Sequence, residues 1–186
     1  MDISTEGQKP VDASASGVPT ILNLSSSSVP GQAQPGALQA EITDQFRRMQ
    51  VGANWFFWIA GLSIFNSVIG LFNGSWGFLA GLGVTQFIDA FAKALSGKLG
   101  GVAIAIALLL DLITAAVVAS FGVMARRGHS WAFVLGLILY AVDGLLFLVV
   151  QDWLSIAFHA YASYCIYRGL VAAKRLSELQ PQYTAV

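Results

Sequence analysis

Long apolar runs alternate with short polar breaks along this chain. The first uncharged run, 53–72, has about the length, roughly 20 residues, that carries an α-helix across a hydrocarbon core. Further runs follow at 99–124, 131–150 and 153–172, and the only charges inside the second and third are Asp111 and Asp143. In lipid a spanning segment must satisfy its own backbone polar groups, so these runs predict helices. The breaks at 125–130 and 151–152 are too short for anything but antiparallel hairpins. The expected fold is therefore all-α: a polytopic integral membrane protein whose membrane domain, 53–172, is a four-transmembrane-helix bundle.

Two other stretches are periodic without being uniformly apolar. In 37–52, Leu38, Ile42, Phe46 and Met49 recur at helical spacing with Glu41, Asp44, Arg47 and Arg48 among them, which predicts a juxtamembrane amphipathic helix. In 84–96, apolar residues fall at 84, 87, 88, 91, 92 and 95 while Gln86, Asp89, Lys93 and Ser96 take the other face. That pattern predicts an interfacial amphipathic helix between the first and second crossings, lying in the membrane plane. The glycine-rich stretch 73–83, with Trp76, is expected to form an interfacial loop or shallow re-entrant turn. Residues 1–36 hold four of the five prolines, the serine run 25–28 and no aromatic side chain, so a disordered polar tail is expected. A second polar tail is expected over 173–186.

Composition agrees with lipid as solvent: 56% of the residues are hydrophobic and 11% charged, against roughly a quarter charged in soluble domains. The net charge of zero offers no field for nucleic acid, which is excluded as a partner. One cysteine, Cys165, permits neither an internal disulfide nor a thiolate metal cage. Met1–Lys9 is polar and Ile21–Leu24 is too short for a signal-peptide core, so insertion is expected to depend on the first membrane helix. Arg47, Arg48, Arg126, Arg127, Arg168, Lys174 and Arg175 collect on one side, against Lys93 and Lys98 on the other, which places both termini in the cytoplasm. The expected location is a membrane, crossed several times, and the inner membrane if the source is a bacterium. Trp55, Trp58, Trp76, Trp131 and Trp153 fall near predicted helix ends, as an aromatic belt requires.

Each predicted crossing carries one strongly polar residue inside its apolar run: Asn66, Asp111, Asp143 and His159. Helical rise, about 1.5 Å per residue, puts all four at one depth slightly outward of the midplane. Such groups are costly in hydrocarbon and face a bundle interior. One expectation is a packing role, in which they hydrogen-bond to one another and fix helix register. A small-residue stripe at Ala60, Ser63, Ser67 and Gly70 beside Asn66 supports close packing. On that reading Asp143→Asn is tolerated and Asp143→Leu is not.

Other chemistries draw on the same residues. Two carboxylates and an imidazole at one level suit a proton or cation relay. An intramembrane aspartyl protease also needs two carboxylates, but Asp111 sits in Leu108–Leu112 with no glycine beside it. His159, flanked by Ser155, Ala160, Ala162 and Ser163, can be weighed as an axial ligand of a macrocycle; the other histidine, His129, lies in a loop and supplies no second ligand. No phosphate-cradling loop, nucleophile elbow or zinc spacing occurs, and no cofactor or metal is expected. The expected function is a small non-enzymatic structural or accessory membrane component, packed against the lipid bilayer, other membrane subunits or copies of itself. The alternative is a small proton- or cation-coupled transporter or channel.

Overall fold

A computed structural model describes residues 35–71 and 81–184. Residues 1–34 of the polar tail expected over 1–36, and most of the glycine-rich stretch around Trp76, lie outside the described residues, while Pro35 and Gly36 already belong to the first helix. The chain forms α1 (Pro35–Leu71), α2 (Gly83–Leu99), α3 (Gly101–Arg126), α4 (Ser130–Val149) and α5 (Trp153–Thr184); among the described residues there are no strands.

Two boundaries differ from expectation. The lead-in 37–52 and the first crossing are one continuous helix, because Gly52 and Ala53 are buried against α5 and the helical register runs through them. The polar end 173–186 is largely helix as well: Ala173, Leu176 and Leu179 are buried and extend α5 to Thr184. There Arg175 bonds Glu41 of α1 at 3.1 Å and Glu178 at 3.2 Å. These carboxylates, Glu178 first, raise the already high ionisation range of the guanidinium.

Among the described residues three helices are long and apolar enough to cross a membrane: Gly36–Ile69 within α1, α3 and α4. The expectation of four exceeds this by one. α5 has ample length at 32 residues, but Ser155, His159, Ser163 and Arg168 interrupt its apolar positions. Burial follows the pattern of a helical membrane protein. The buried residues of α3 are Ala103, Ala107, Asp111, Ala115, Gly122 and Ala125, while Val102, Ile106, Leu109, Leu112, Ile113 and Val117 point outward. Water would drive the large apolar side chains inward. Lipid does not, and packing then selects small residues at helix contacts.

α1 is the central strut, packed on α3 and α5. Met49, Ala53, Phe56 and Ile59 of α1 meet Ala125 of α3, Phe133 and Tyr140 of α4, and Ala162, Ile166 and Leu170 of α5. At the α1–α5 crossing the backbones touch: a Cβ on Gly169 would sit 2.8 Å from the Gly52 Cα. The α3–α4 hairpin closes at Gly128, whose φ of 86° is the left-handed conformation that glycine adopts without strain. Asp152 begins α5, accepting the Ser155 N–H at 3.2 Å and the Ser155 hydroxyl at 2.6 Å.

α2 departs from the sequence-based expectation of an independent surface helix. It folds back along α3 in a hairpin turned at Gly100, with Ile88, Phe91, Ala92 and Leu95 against Ala103, Ile106, Ala107 and Leu110. Its first turn is buried: Leu82, Gly83 and Thr85 all lack solvent exposure. The reason is polar, and it lies in the residues that meet there.

Candidate functional site: a carboxylate cap inside the bundle

A helix beginning inside a bundle leaves its first backbone N–H groups without intrahelical acceptors, and no water is at hand to take them. α2 has this problem acutely, because Leu82 at its N-cap has no side-chain acceptor. Asp143 of α4 supplies one. Its Oδ2 accepts the Gly83 N–H at 2.7 Å and its Oδ1 accepts the Val84 N–H at 2.8 Å. The preceding N–H, of Leu82, donates to Ser63 Oγ of α1 at 2.7 Å, and that hydroxyl donates on to the Ile59 carbonyl at 2.9 Å. Asp143 lies six residues before the end of α4, so the start of α2 sits about 9 Å in from that end.

Glycine makes the approach possible. A Cβ at Gly83 would fall 2.8 Å from the Phe147 ring and 3.2 Å from the Asp143 carbonyl oxygen, and one at Gly81 would meet Asn66 and Ser63. Gly81 also has a φ of 152°. Any side chain at 83 would push the N–H groups off the carboxylate.

His159 completes the cluster. Its Nε2 faces Asp143 Oδ2 at 3.1 Å and its Nδ1 faces the Ser155 carbonyl oxygen at 2.8 Å. A carbonyl only accepts, so Nδ1 carries the hydrogen in that contact. The imidazole lies on one side of the Asp143 carboxylate and the positive end of the α2 dipole on the other. The ring is fixed by aromatic neighbours: Tyr140 stacks on it at 4.4 Å and 17°, and Phe147 lies at 4.9 Å. Both ring nitrogens of His159 are taken up by these contacts, so neither faces an open site for a macrocycle.

The four polar residues expected in one layer therefore divide. Asp143 and His159 meet. Asp111 is held elsewhere: its Oδ2 accepts the Ser67 hydroxyl at 2.7 Å, and the Asp89 carboxyl of α2 lies within hydrogen-bonding reach. Asp111 Oδ1 is buried with no donor among the described residues. Asn66 lies against Gly81, at the entry to α2. Equal depth does not make contact, because Asp111 sits in the stripe Ala103, Ala107, Asp111, Ala115, which faces α1 and α2, whereas Asp143 shares the stripe Gly136, Tyr140, Asp143, Phe147.

Ser63, Ser67, Gly83 and Asp89 are the participants that sequence reasoning assigned differently. The two serines counted only as small residues, and Asp89 was placed on a solvent-facing side. A usable signal was present in the sequence: a helix start at Gly81-Leu82-Gly83 with no capping side chain of its own, between long apolar runs, demands an acceptor from elsewhere.

Beside the cluster, an apolar cavity of about 320 Å³ opens between α3 and α4, lined among others by Phe56, Val118, Phe121, Leu139 and Leu146. Thr114, Tyr140 and Asp143 are the polar residues on its wall. So few polar partners do not hold ordered water well. Among the described residues no group of three or more His, Cys, Asp and Glu is arranged to hold a metal ion. Comparison with protein-family models, with curated proteins and with solved structures found no match to this chain.

Proposed function

We propose that this chain is a non-enzymatic structural or accessory membrane component. Its four long helices, α5 included, span the bilayer with the termini in the cytoplasm, and its intramembrane polar residues lock the bundle. One observation carries the reading: both oxygens of Asp143 are committed, to two backbone N–H groups and to His159. A carboxylate used as a helix cap is not free to pass a proton without releasing the helix it holds. The inclusion of α5 is supported by its outward residues Trp153, Leu154, Tyr161, Tyr164 and Val171, which suit lipid and its interface, while Ser155 and His159 are turned inward and bonded. The orientation is supported by the gathering of Arg47, Arg48, Arg126 and Arg168 at one end, where Arg126 Nε donates to Asn54 Oδ1 at 2.9 Å and stacks on Phe57 at 4.5 Å.

A proton- or cation-coupled role draws on the other carboxylate. Asp111 of α3 and Asp89 of α2 lie within hydrogen-bonding reach of each other, the pairing of carboxylates such a role would use. The two readings separate in proteoliposomes under a pH gradient. A packing role gives wild-type proton flux no greater than that of empty vesicles. Robust wild-type flux that disappears in a folded Asp111→Asn variant would overturn the structural reading.

A further inference from the structure

The crossing of α1 and α5 leaves a concavity that the packing role does not use. It measures about 290 Å³ and is lined by Arg47, Arg48, Val51, Gly52, Cys165 and Arg168. Gly52 and Gly169 bring the two helices into backbone contact, and beside that contact Arg47 and Arg48 of α1 and Arg168 of α5 border the recess. A topological charge signal needs arginines only near a helix end. Here three of them border one recess.

The charges are unbalanced. Asp44 serves Arg48 at 2.7 Å and Arg47 at 3.4 Å. Arg168 has only the Tyr164 ring, at 5.9 Å, and no carboxylate partner among the described residues. One carboxylate thus faces three permanent cations, and guanidinium forks match phosphate oxygens in pairs. From this basic recess an apolar and aromatic track continues one to two turns along the same helices. Val51, Trp58 and Tyr161 are outward-facing, and Trp55 packs edge-on against Tyr161 at 5.3 Å.

We infer that this recess is a headgroup site for an anionic phospholipid, its phosphate held by Arg47, Arg48 and Arg168 and an acyl chain lying along Val51, Trp58 and Tyr161. A free phosphate would have no use for the track. A zwitterionic lipid would bring its own cation to a site already in positive excess. Basic recesses between membrane helices at the cytoplasmic face suit such headgroups. The inference rests on the proposed placement of α1 and α5 across the bilayer with this end at one interface.

The test uses the full chain in a neutral detergent, titrated with phosphatidylglycerol, with phosphatidylcholine of the same acyl chains, or with inorganic phosphate. Phosphatidylglycerol is expected to raise the unfolding temperature, as any ligand of the folded state does, and the other two are not. Arg168→Gln is expected to weaken the phosphatidylglycerol effect by about tenfold or more in lipid concentration, the loss of one charge-assisted contact, while Arg127→Gln, outside the recess, leaves it intact. Cys165, the chain's one cysteine, gives a second readout: phosphatidylglycerol slows its alkylation in wild type and not in Arg168→Gln. Equal stabilisation by phosphatidylcholine, stabilisation by inorganic phosphate alone, or an equal loss in Arg127→Gln would overturn the site. Failure of the membrane placement is seen separately, by cysteine labelling from outside the membrane; correct labelling with no lipid selectivity overturns the site alone.

Discussion

Replacing Asp143 by asparagine separates a carboxylate that caps a helix from one that only fills space. The sequence-based expectation was that asparagine, similar in shape, is tolerated. The geometry reverses this. Two backbone donors and the His159 ring meet the Asp143 carboxylate: Gly83 N–H at 2.7 Å, Val84 N–H at 2.8 Å and His159 Nε2 at 3.1 Å. Asparagine keeps one acceptor oxygen and presents an NH₂ group to donors on the other side, so it loses at least one charge-assisted bond and the carboxylate's interaction with the helix dipole. With such bonds worth about 1.5 to 3 kcal/mol each and the dipole term up to about 2 kcal/mol in buried geometry, Asp143→Asn should cost about 2 to 3 kcal/mol. Asp143→Leu strands two backbone N–H groups and the imidazole. Breaking a buried pair by removing one partner costs about 3 to 5 kcal/mol. Reversible unfolding in mixed micelles measures both, and amide exchange by mass spectrometry localises them. If the start of α2 opens locally, exchange over 83–86 should accelerate roughly thirtyfold in the asparagine variant, the equivalent of about 2 kcal/mol. An asparagine variant as stable as wild type, with unchanged exchange there, would refute the capping argument.

Other perturbations follow from contacts already described. Gly169→Ala places a methyl group 2.8 Å from both the Gly52 Cα and the Phe133 ring, so it should destabilise by about 1 to 3 kcal/mol; Gly61→Ala, with nothing within 4 Å, should be neutral or gain up to about 1 kcal/mol from helix propensity, both read by thermal unfolding. Ser67→Ala removes the donor to Asp111 Oδ2 and should cost about 1 to 3 kcal/mol, a cost that the double variant with Asp111→Leu should not add to. In a Cys165→Ser background, a cysteine replacing Lys98 should react with an impermeant reagent applied outside, and cysteines replacing His129 or Ser177 should not; the opposite pattern would invert the proposed orientation.

The helices were legible because apolar run length is a property of sequence alone, and three of them meet the requirement for crossing a membrane. Partners were less legible. The depth of Asp111 and Asp143 follows from residue counting, but the direction each faces follows from rotation about the helix axis, which packing decides. Asp111 is turned to α1 and α2 by the alanines at four-residue spacing on its stripe, Ala103, Ala107 and Ala115, a pattern visible in the sequence. What could not be read was the course of α2. Its two-faced pattern describes equally a helix lying on a bilayer and one laid along α3 with Asp89 toward Asp111; the pattern gives the faces, not their neighbours. Gly81 and Gly83 decide between the two, since they permit the chain to press against Ser63, Asn66 and Phe147 and deliver two N–H groups to Asp143.

On the proposed four-span placement, the same bonds explain why the helix least suited to lipid by composition belongs with the others. α5 interrupts its apolar positions with Ser155, His159 and Ser163, each a liability for a helix inserted alone. In the bundle Ser155 is engaged by Asp152, and His159 by Asp143 and by the Ser155 carbonyl. The polar groups of α5 are thus satisfied largely by its own first turn and by α4, the helix that immediately precedes it across a three-residue turn. α4 in turn carries a carboxylate that would be unpaired without α5 and α2. Neither α4 nor α5 is a complete solution to burial, whereas the pair, closed by α2, leaves both oxygens of Asp143 and both nitrogens of His159 bonded. On the proposed four-span placement, this mutual dependence ties the insertion of α5 to the prior placement of α4 and makes the interior polar residues the fasteners of the bundle.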